Sequence, residues 1–202
     1  AGYFGGWTDD VLMRLTDGVT MQVGRFTPAF GNFPLRHDPA NHRTSDKPLP
    51  YDMGRMLRFR DWNEGVLPAP WVDNGVQLSA TWFFAKGQLD AAVHAMSGAK
   101  GTGATSDLDY TLSRSGERYY VDNNSEPAVG GRVALTVEPR DDAALELGVS
   151  ATAGHYDPDR HLGYLIGGAE LVARVGTATL RGEYLIRRTS LECLRSRRAS
   201  GL

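Results

Sequence analysis

The segment that decides the fold lies at 76–95 and reads VQLSATWFFAKGQLDAAVHA. Apolar residues occupy alternate positions from Val76 to Phe84 with polar residues between them, and Phe83 is the one exception. After Lys86-Gly87 the alternation resumes in the opposite phase. Because successive side chains of a strand point to opposite faces, this pattern predicts two amphipathic strands joined by a tight turn, which is a β-hairpin.

The same unit recurs three more times along the chain. Alternating runs flank the turn dipeptides Asp17-Gly18 and Gly176-Thr177, and a further pair flanks the turn at 139–142. Four hairpins make eight strands. Helical periodicity is nearly absent, so the sequence predicts an all-β, antiparallel, up-and-down sheet.

The lengths of the connections make the two ends of the predicted sheet different. Connections within hairpins are a few residues long, whereas those between hairpins run over about 27–74, 97–128 and 155–163. Short turns therefore lie at one end and long loops at the other, as in bacterial outer-membrane barrels, whereas compact soluble domains seldom carry such loops. We predict one domain over 1–187, an up-and-down β-barrel of about eight strands or part of a larger porin barrel. The basic tail at 188–202 is expected to be irregular.

Composition excludes several classes of protein. With 22 basic and 24 acidic residues the net charge is −2, which argues against a nucleic-acid-binding protein. No apolar run approaches the 20 residues of a transmembrane helix. The single cysteine, Cys193, excludes an intramolecular disulfide. The first residues do not resemble a signal peptide, so we expect a mature chain or a fragment.

The two faces of the predicted strands differ in chemistry. One face carries charges of both signs at strand centres, where an ion needs water or a partner of opposite charge. We predict that this face lines a lumen through Arg14, Asp90, His94, Arg132, Glu146, Glu170, Arg174, Arg181 and Glu183. The apolar face is predicted to contact lipid or to form an aromatic girdle through Leu78, Trp82, Phe84, Leu147, Leu180 and Tyr184, and Trp71 and Tyr164 are further girdle candidates. Ordinary packing between strands explains each aromatic residue, taken singly, equally well.

The same alternation fits other proteins. In a soluble β-barrel or sandwich the apolar face would point inward, and the long loops would bind a small ligand or a glycan. A non-conducting structural or adhesive barrel is a further alternative. Periodicity alone does not choose between these readings, because it does not tell which face is covered.

Catalytic and metal-binding patterns are weak. The segment at 155–161, HYDPDRH, gathers two imidazoles and two carboxylates, but it lacks the glycine and distal glutamate of a calcium loop and is interpreted as a polar turn. His37 and His42 are interpreted in the same way. No nucleophile elbow and no zinc-protease motif occurs. We therefore predict no enzymatic activity, no catalytic residue, no metal and no cofactor.

One segment resembles a known family. Residues 23–31, VGRFTPAFG, are similar to the strand-to-loop segment of phosphate-selective porin O/P-like outer-membrane proteins. The loop residues at 35–37 and 46–49 and the late strands at 171–187 resemble the corresponding parts of that family.

The resemblance implies a β-barrel in the bacterial outer membrane that passes small hydrophilic solutes or ions, often anions, by diffusion. Its partners would be the lipid bilayer and those solutes. Members are usually larger than eight strands and end in an aromatic residue, so this chain resembles a truncated or partial member. The acids and bases of the charged face nearly cancel, and we expect a pore without strong ion preference.

Overall fold

The computed structural model describes residues 10–36, 48–51, 66–67, 71–101 and 124–190. This part of the chain forms four β-hairpins, which confirms the all-β prediction. Two short helical segments accompany them, a four-residue helix at Phe33–Arg36 (α1) and a 3-10 turn at Leu49–Tyr51. The strands are β1 (Asp10–Thr16), β2 (Val19–Phe26), β3 (Asp73–Phe84), β4 (Gly87–Met96), β5 (Ala128–Arg140), β6 (Ala143–His155), β7 (Gly163–Val175) and β8 (Ala178–Thr189).

The eight strands form one antiparallel sheet in the order β1-β2-β3-β4-β5-β6-β7-β8. Each strand is therefore hydrogen-bonded to its neighbours in sequence, as an up-and-down topology requires. Within the described residues, β1 pairs only with β2 and β8 only with β7. The last strand continues to Thr189, two residues past the predicted end of the domain, and the tail from 191 lies outside the described residues.

All four hairpins turn through two residues, at 17–18, 85–86, 141–142 and 176–177. Gly18 has a φ of +80°, and a Cβ there would lie 2.8 Å from the carbonyl oxygen of Thr81. This position therefore needs glycine, both for its backbone conformation and for the close approach of β3. The long connections all leave the opposite end of the sheet, as the sequence predicts.

Strand register divides the side chains between two faces. Residues directly paired in an antiparallel sheet share a face, and alternate residues of one strand lie on opposite faces. One row across the sheet joins Thr81, Asp90, Ala134, Gly148, Glu170 and Glu183. The face that carries this row is called the polar face. The next row, on the apolar face, joins Trp82, Leu89, Leu135, Leu147 and Leu171.

The packed core of the described chain lies on the polar face, at the long-loop end. Its buried members are Phe30, Tyr51, Leu67, Trp71, Ala128, Tyr156, Tyr164 and Ile166, and this set is called the aromatic cluster. Phe30 meets Trp71 edge to face with ring centroids 5.8 Å apart. The prediction of Trp71 and Tyr164 as girdle residues was wrong, because their side chains pack here and are 8% and 4% exposed.

The apolar face remains uncovered in the described structure. Leu147 is 46% exposed, and Trp82 and Leu180 are 54% and 66% exposed. The sheet therefore has the inverse of the ordinary arrangement, in which the apolar face of an amphipathic sheet packs on a core. Among the described residues, no helix is long and apolar enough to cross a membrane.

Candidate functional site

The structure brings the predicted charged residues to one face of the sheet. By strand register the polar face holds all nine residues predicted to line a lumen: Arg14, Asp90, His94, Arg132, Glu146, Glu170, Arg174, Arg181 and Glu183. The opposite face holds all six residues predicted to contact lipid or to form a girdle: Leu78, Trp82, Phe84, Leu147, Leu180 and Tyr184. Each of these six is exposed. Contact with a lumen or with lipid stays a prediction for both sets.

The segment after β2 crosses the polar face, and residues 27–36 are called the docked loop. Its main chain donates hydrogen bonds to side chains of the sheet. The amide of Ala29 binds Gln77 Oε1 at 2.7 Å, and the amide of Gly31 binds Ser150 Oγ at 2.9 Å. Because Gln77 lies on β3 and Ser150 on β6, the loop spans several strands of the sheet and lies over its polar face.

Gly31 occupies a place in the docked loop that no larger residue fits. Its φ is +62°, a region that favours glycine. A Cβ at this position would overlap the carboxylate of Glu183 and lie 2.9 Å from the hydroxyl of Tyr51. The absence of a side chain therefore allows the loop backbone to reach β8, where the amide of Asn32 donates to Glu183 Oε1 at 3.1 Å.

A cluster of ionised groups lies beneath this loop. Arg132 on β5 donates through Nε to Glu170 Oε1 at 2.8 Å, and through Nη2 to Glu146 Oε1 at 2.8 Å. The side chains of Arg132 and Glu170 are 12% and 1% exposed. The Asn32 side-chain amide also donates to Glu146, at 3.3 Å. The Arg132 guanidinium therefore holds two carboxylates from separate strands, and the docked loop covers one of them, Glu146.

Glu170 and Glu183 lie directly opposite each other on β7 and β8. Like charges in that position repel, so each carboxylate needs a partner of its own. Glu170 has Arg132, and Glu183 accepts a hydrogen bond from the Tyr51 hydroxyl at 2.6 Å. Burial, together with the Glu183 carboxylate, raises the pKa of Tyr51 far above its ordinary value, so the hydroxyl stays protonated and donates.

Asp90, Arg174 and Arg181 lie nearer the tight turns. Asp90 accepts hydrogen bonds from Thr81 at 2.7 Å and from Gln88 at 2.8 Å. Arg174 and Arg181 are exposed. The acids of this face are therefore bound to neighbouring groups, whereas these two arginines present their side chains to the space in front of the sheet.

His94, another predicted lining residue, is covered by Trp71 of the aromatic cluster. It is 4% exposed, and its ring meets Trp71 edge to face at 5.9 Å. Neither ring nitrogen has a hydrogen-bond partner within the described part of the chain. The Trp71 ring therefore separates the His94 imidazole from the space in front of the sheet.

The acidic and imidazole-rich segment at 155–161 forms a tight turn held by its own first carboxylate. Asp157 accepts the backbone N–H of His161 at 3.0 Å and that of Leu162 at 2.8 Å. Burial acts to raise the pKa of Asp157, but these two hydrogen bonds outweigh it and hold the pKa below its usual value. No three His, Cys, Asp or Glu side chains of the described residues form a possible metal site, and His37 and His42 lie outside those residues.

Sequence reasoning missed the residues that hold the loop. Gln77, Ser150, Asn32 and Tyr51 are uncharged, and no spacing marks them as partners of a segment so far away in the chain. The segment 23–31, which carries the family resemblance, contains Phe30 and Gly31; Phe30 is 0% exposed, and a Cβ at Gly31 would overlap Glu183.

Comparison of the chain with protein-family models, curated protein sequences and solved structures gives no match.

Proposed function

We propose that this chain is a porin-type protein of the bacterial outer membrane, similar to phosphate-selective porin O/P-like proteins, and that small hydrophilic solutes or ions diffuse passively along its polar face. It performs no catalysis in this role. The bilayer would contact the apolar face, and the docked loop would narrow the path in front of the polar face.

The observation that carries this proposal is the position of the packed core. In a soluble barrel or sandwich the apolar face would be the buried one. Here the aromatic cluster and the docked loop pack on the polar face, and the leucine row that contains Leu135 and Leu147 remains exposed. Removing one such side chain from water is worth about 1.5–3 kcal/mol, and soluble monomers seldom expose apolar patches beyond a few hundred Å². A lipid environment accounts for this face without further protein.

Two neighbouring residues at the end of β3 provide a direct test. By register Trp82 lies on the apolar face and Phe83 on the polar face, and both are exposed. In a Cys193→Ser background, Trp82→Cys and Phe83→Cys would each be labelled with an environment-sensitive fluorophore and reconstituted into vesicles. We expect quenching by spin-labelled lipid at 82 and quenching by aqueous iodide at 83. Folded protein in plain buffer, with no quenching by spin-labelled lipid at position 82, would support the soluble alternative.

Conduction is tested separately, in planar bilayers under a salt gradient. The near balance of acids and bases predicts a reversal potential close to zero, and Arg181→Glu should move it toward cation preference. Lys86→Glu, in a tight turn away from the polar face, is the matched control. A strongly anion-selective current that weakens in Arg181→Glu would favour the preference implied by the family resemblance.

A second candidate function is a non-conducting structural barrel. The observation that favours it is the docked loop, whose hydrogen bonds to Gln77, Ser150 and Glu183 hold a main-chain segment across the polar face. Correct membrane insertion by the quenching test, with no current at any voltage, would favour this function over a pore.

A further inference from the structure

Phe83 is the one large apolar side chain among the polar-face positions of β3. By register it lies opposite Gln88, and it is 77% exposed. Its neighbours in the chain, Trp82 and Phe84, belong to the apolar face. An aromatic ring therefore stands on the face that carries the charged and polar side chains, in a row that continues through Gln88 to Thr136.

A hollow of about 470 Å³ opens beside this ring, beyond the last rows of the polar face. It lies where the β3–β4 hairpin ends and β5 continues. The pairing of β4 with β5 stops at Gly87 and Val137, and β5 runs on to Arg140. The backbone N–H of Glu138 donates to the carbonyl oxygen of Lys86 at 2.8 Å, which fixes the turn against β5. Small-molecule sites in proteins have volumes of about 300–1,000 Å³, so the hollow can hold a small solute.

The residues that line the hollow favour a neutral ligand. Two basic and two acidic residues surround it: Lys86, Arg140, Glu138 and Asp141. Because these charges cancel, no field of one sign draws an ion into the hollow. The uncharged polar side chains of the lining are Gln88 and Thr136. An aromatic ring and neutral hydrogen-bonding groups therefore meet in a site of balanced charge.

The Gln88 side chain is already oriented for a ligand. Its Nε2 donates to Asp90 at 2.8 Å, and Asp90 also accepts a hydrogen bond from Thr81 at 2.7 Å. Because these bonds use the amide nitrogen, the amide oxygen of Gln88 can accept a hydrogen bond from a hydroxyl group in the hollow.

We propose that Phe83 and this hollow form a carbohydrate subsite at the tight-turn end of the polar face. A sugar ring has a face of C–H groups, which packs on an aromatic ring, and hydroxyl groups at its rim, which hydrogen-bond to groups such as those of Gln88 and Thr136. This inference rests on the proposed function, because it assigns a chemical class to the hydrophilic solutes that move along the polar face.

Calorimetric titration of the protein in lipid nanodiscs, which leave both ends of the sheet open to solution, tests the subsite. The ligands are the sugars maltotriose and cellotriose, and the open-chain polyol mannitol is the control ligand. We expect saturable binding of at least one sugar. Mannitol should not bind, because it has the hydroxyl groups of a sugar but no rigid face of C–H groups.

Substitutions at Phe83 connect the binding to the ring. Phe83→Ala should raise the dissociation constant of the sugar about tenfold or more. Phe83→Leu, which keeps apolar bulk without a ring, should also raise it, whereas Phe83→Trp should keep it within about twofold of the parent. Tyr184→Ala, which removes an exposed ring from the apolar face, is the matched control and should leave it unchanged.

Absence of saturable binding by both sugars would overturn the proposal. An unchanged dissociation constant in Phe83→Ala and Phe83→Leu would also overturn it, because the sugar would then bind elsewhere. Binding of mannitol as tight as that of the sugars would overturn it too, since hydroxyl groups alone would then account for the affinity.

The fluorophore at 82 separates this proposal from the proposed function. Lipid quenching at 82 without sugar binding would leave the membrane location standing and remove the subsite. Folded protein in plain buffer without lipid quenching at 82 would remove the membrane location itself.

Discussion

The two faces of this sheet are made by adjacent residues and yet have opposite surroundings. On β6, Glu146 is bound by Arg132 and Asn32 under the docked loop, whereas the next residue, Leu147, is 46% exposed on the other face. In an ordinary soluble sheet these environments would be exchanged. The contrast shows that, among the described residues, the docked loop covers charged groups and leaves the hydrophobic face open.

The largest loss of unfolding free energy is expected on the polar face, from Arg132→Met. It removes the cation that binds both Glu146 and Glu170, and breaking a buried ion pair in this way costs about 3–5 kcal/mol. Urea unfolding of the protein in lipid vesicles measures the loss. Arg181→Met, at an exposed position of the same face, should stay within about 0.5 kcal/mol. Equal effects would show that the buried cluster does not hold the polar face together.

The next largest effect is expected on the apolar face, from Leu147→Arg. At the middle of a bilayer the change costs about 2–4 kcal/mol, whereas Val175→Arg, at the end of β7 on the same face, costs about 0–1 kcal/mol. The same unfolding measurement applies. If this face contacts water instead, both substitutions fall at exposed positions and both stay within about 0.5 kcal/mol.

Tyr51→Phe weakens the attachment of the loop region to the polar face. It removes the hydrogen bond to the Glu183 carboxylate, for which we expect a loss of about 1.5–3 kcal/mol in unfolding free energy. Because burial and Glu183 raise the pKa of Tyr51, the loss should be the same at pH 6 and pH 9. Tyr184→Phe, on the apolar face, is the control. A loss that disappears at pH 9 would contradict a protonated donor.

The smallest effect on unfolding free energy is expected in the turn at 155–161, which belongs to neither face of the sheet. Since the pKa of Asp157 is lower in the folded than in the unfolded chain, its stabilisation is complete above the unfolded value of 3.8 and is lost as the pH falls through the folded value. Asp157→Asn should cost about 1 kcal/mol at neutral pH. The variant and the parent should converge in unfolding free energy below that window. Asp159→Asn, at an exposed position, is the control, and a gap that persists at low pH would refute the assignment.

The strands were predictable because their signal is local. Alternation around Leu78 and Leu147, together with two-residue turns such as Asp17-Gly18, depends on residues within a few positions of each other. The division of charged and apolar residues between two faces follows from the same period of two. The eight charged residues and His94 could therefore be assigned to one face from the sequence, with no long-range contact known.

The docked loop was not predictable, because its contacts are distant in the chain. Asn32 and Glu183 are 151 positions apart, and Gly31 and Ser150 are 119 apart. Trp71 and Tyr164 illustrate the resulting error, since an aromatic residue near a strand end fits an interfacial girdle and a packed cluster equally well. Only the path of the loop across the polar face distinguishes the two.

The sequence by itself determined the eight strands, their order, their turns and the residues of each face, because these depend on a local period and on the conformational preferences of a few turn residues. Tertiary structure decided which face is covered. Alternation is the same whether the apolar side meets a core or lipid, and the difference arises only when a distant segment packs on one side. Here that segment lies on Glu146 and Glu183, and the leucine row on the other side remains open in the described structure.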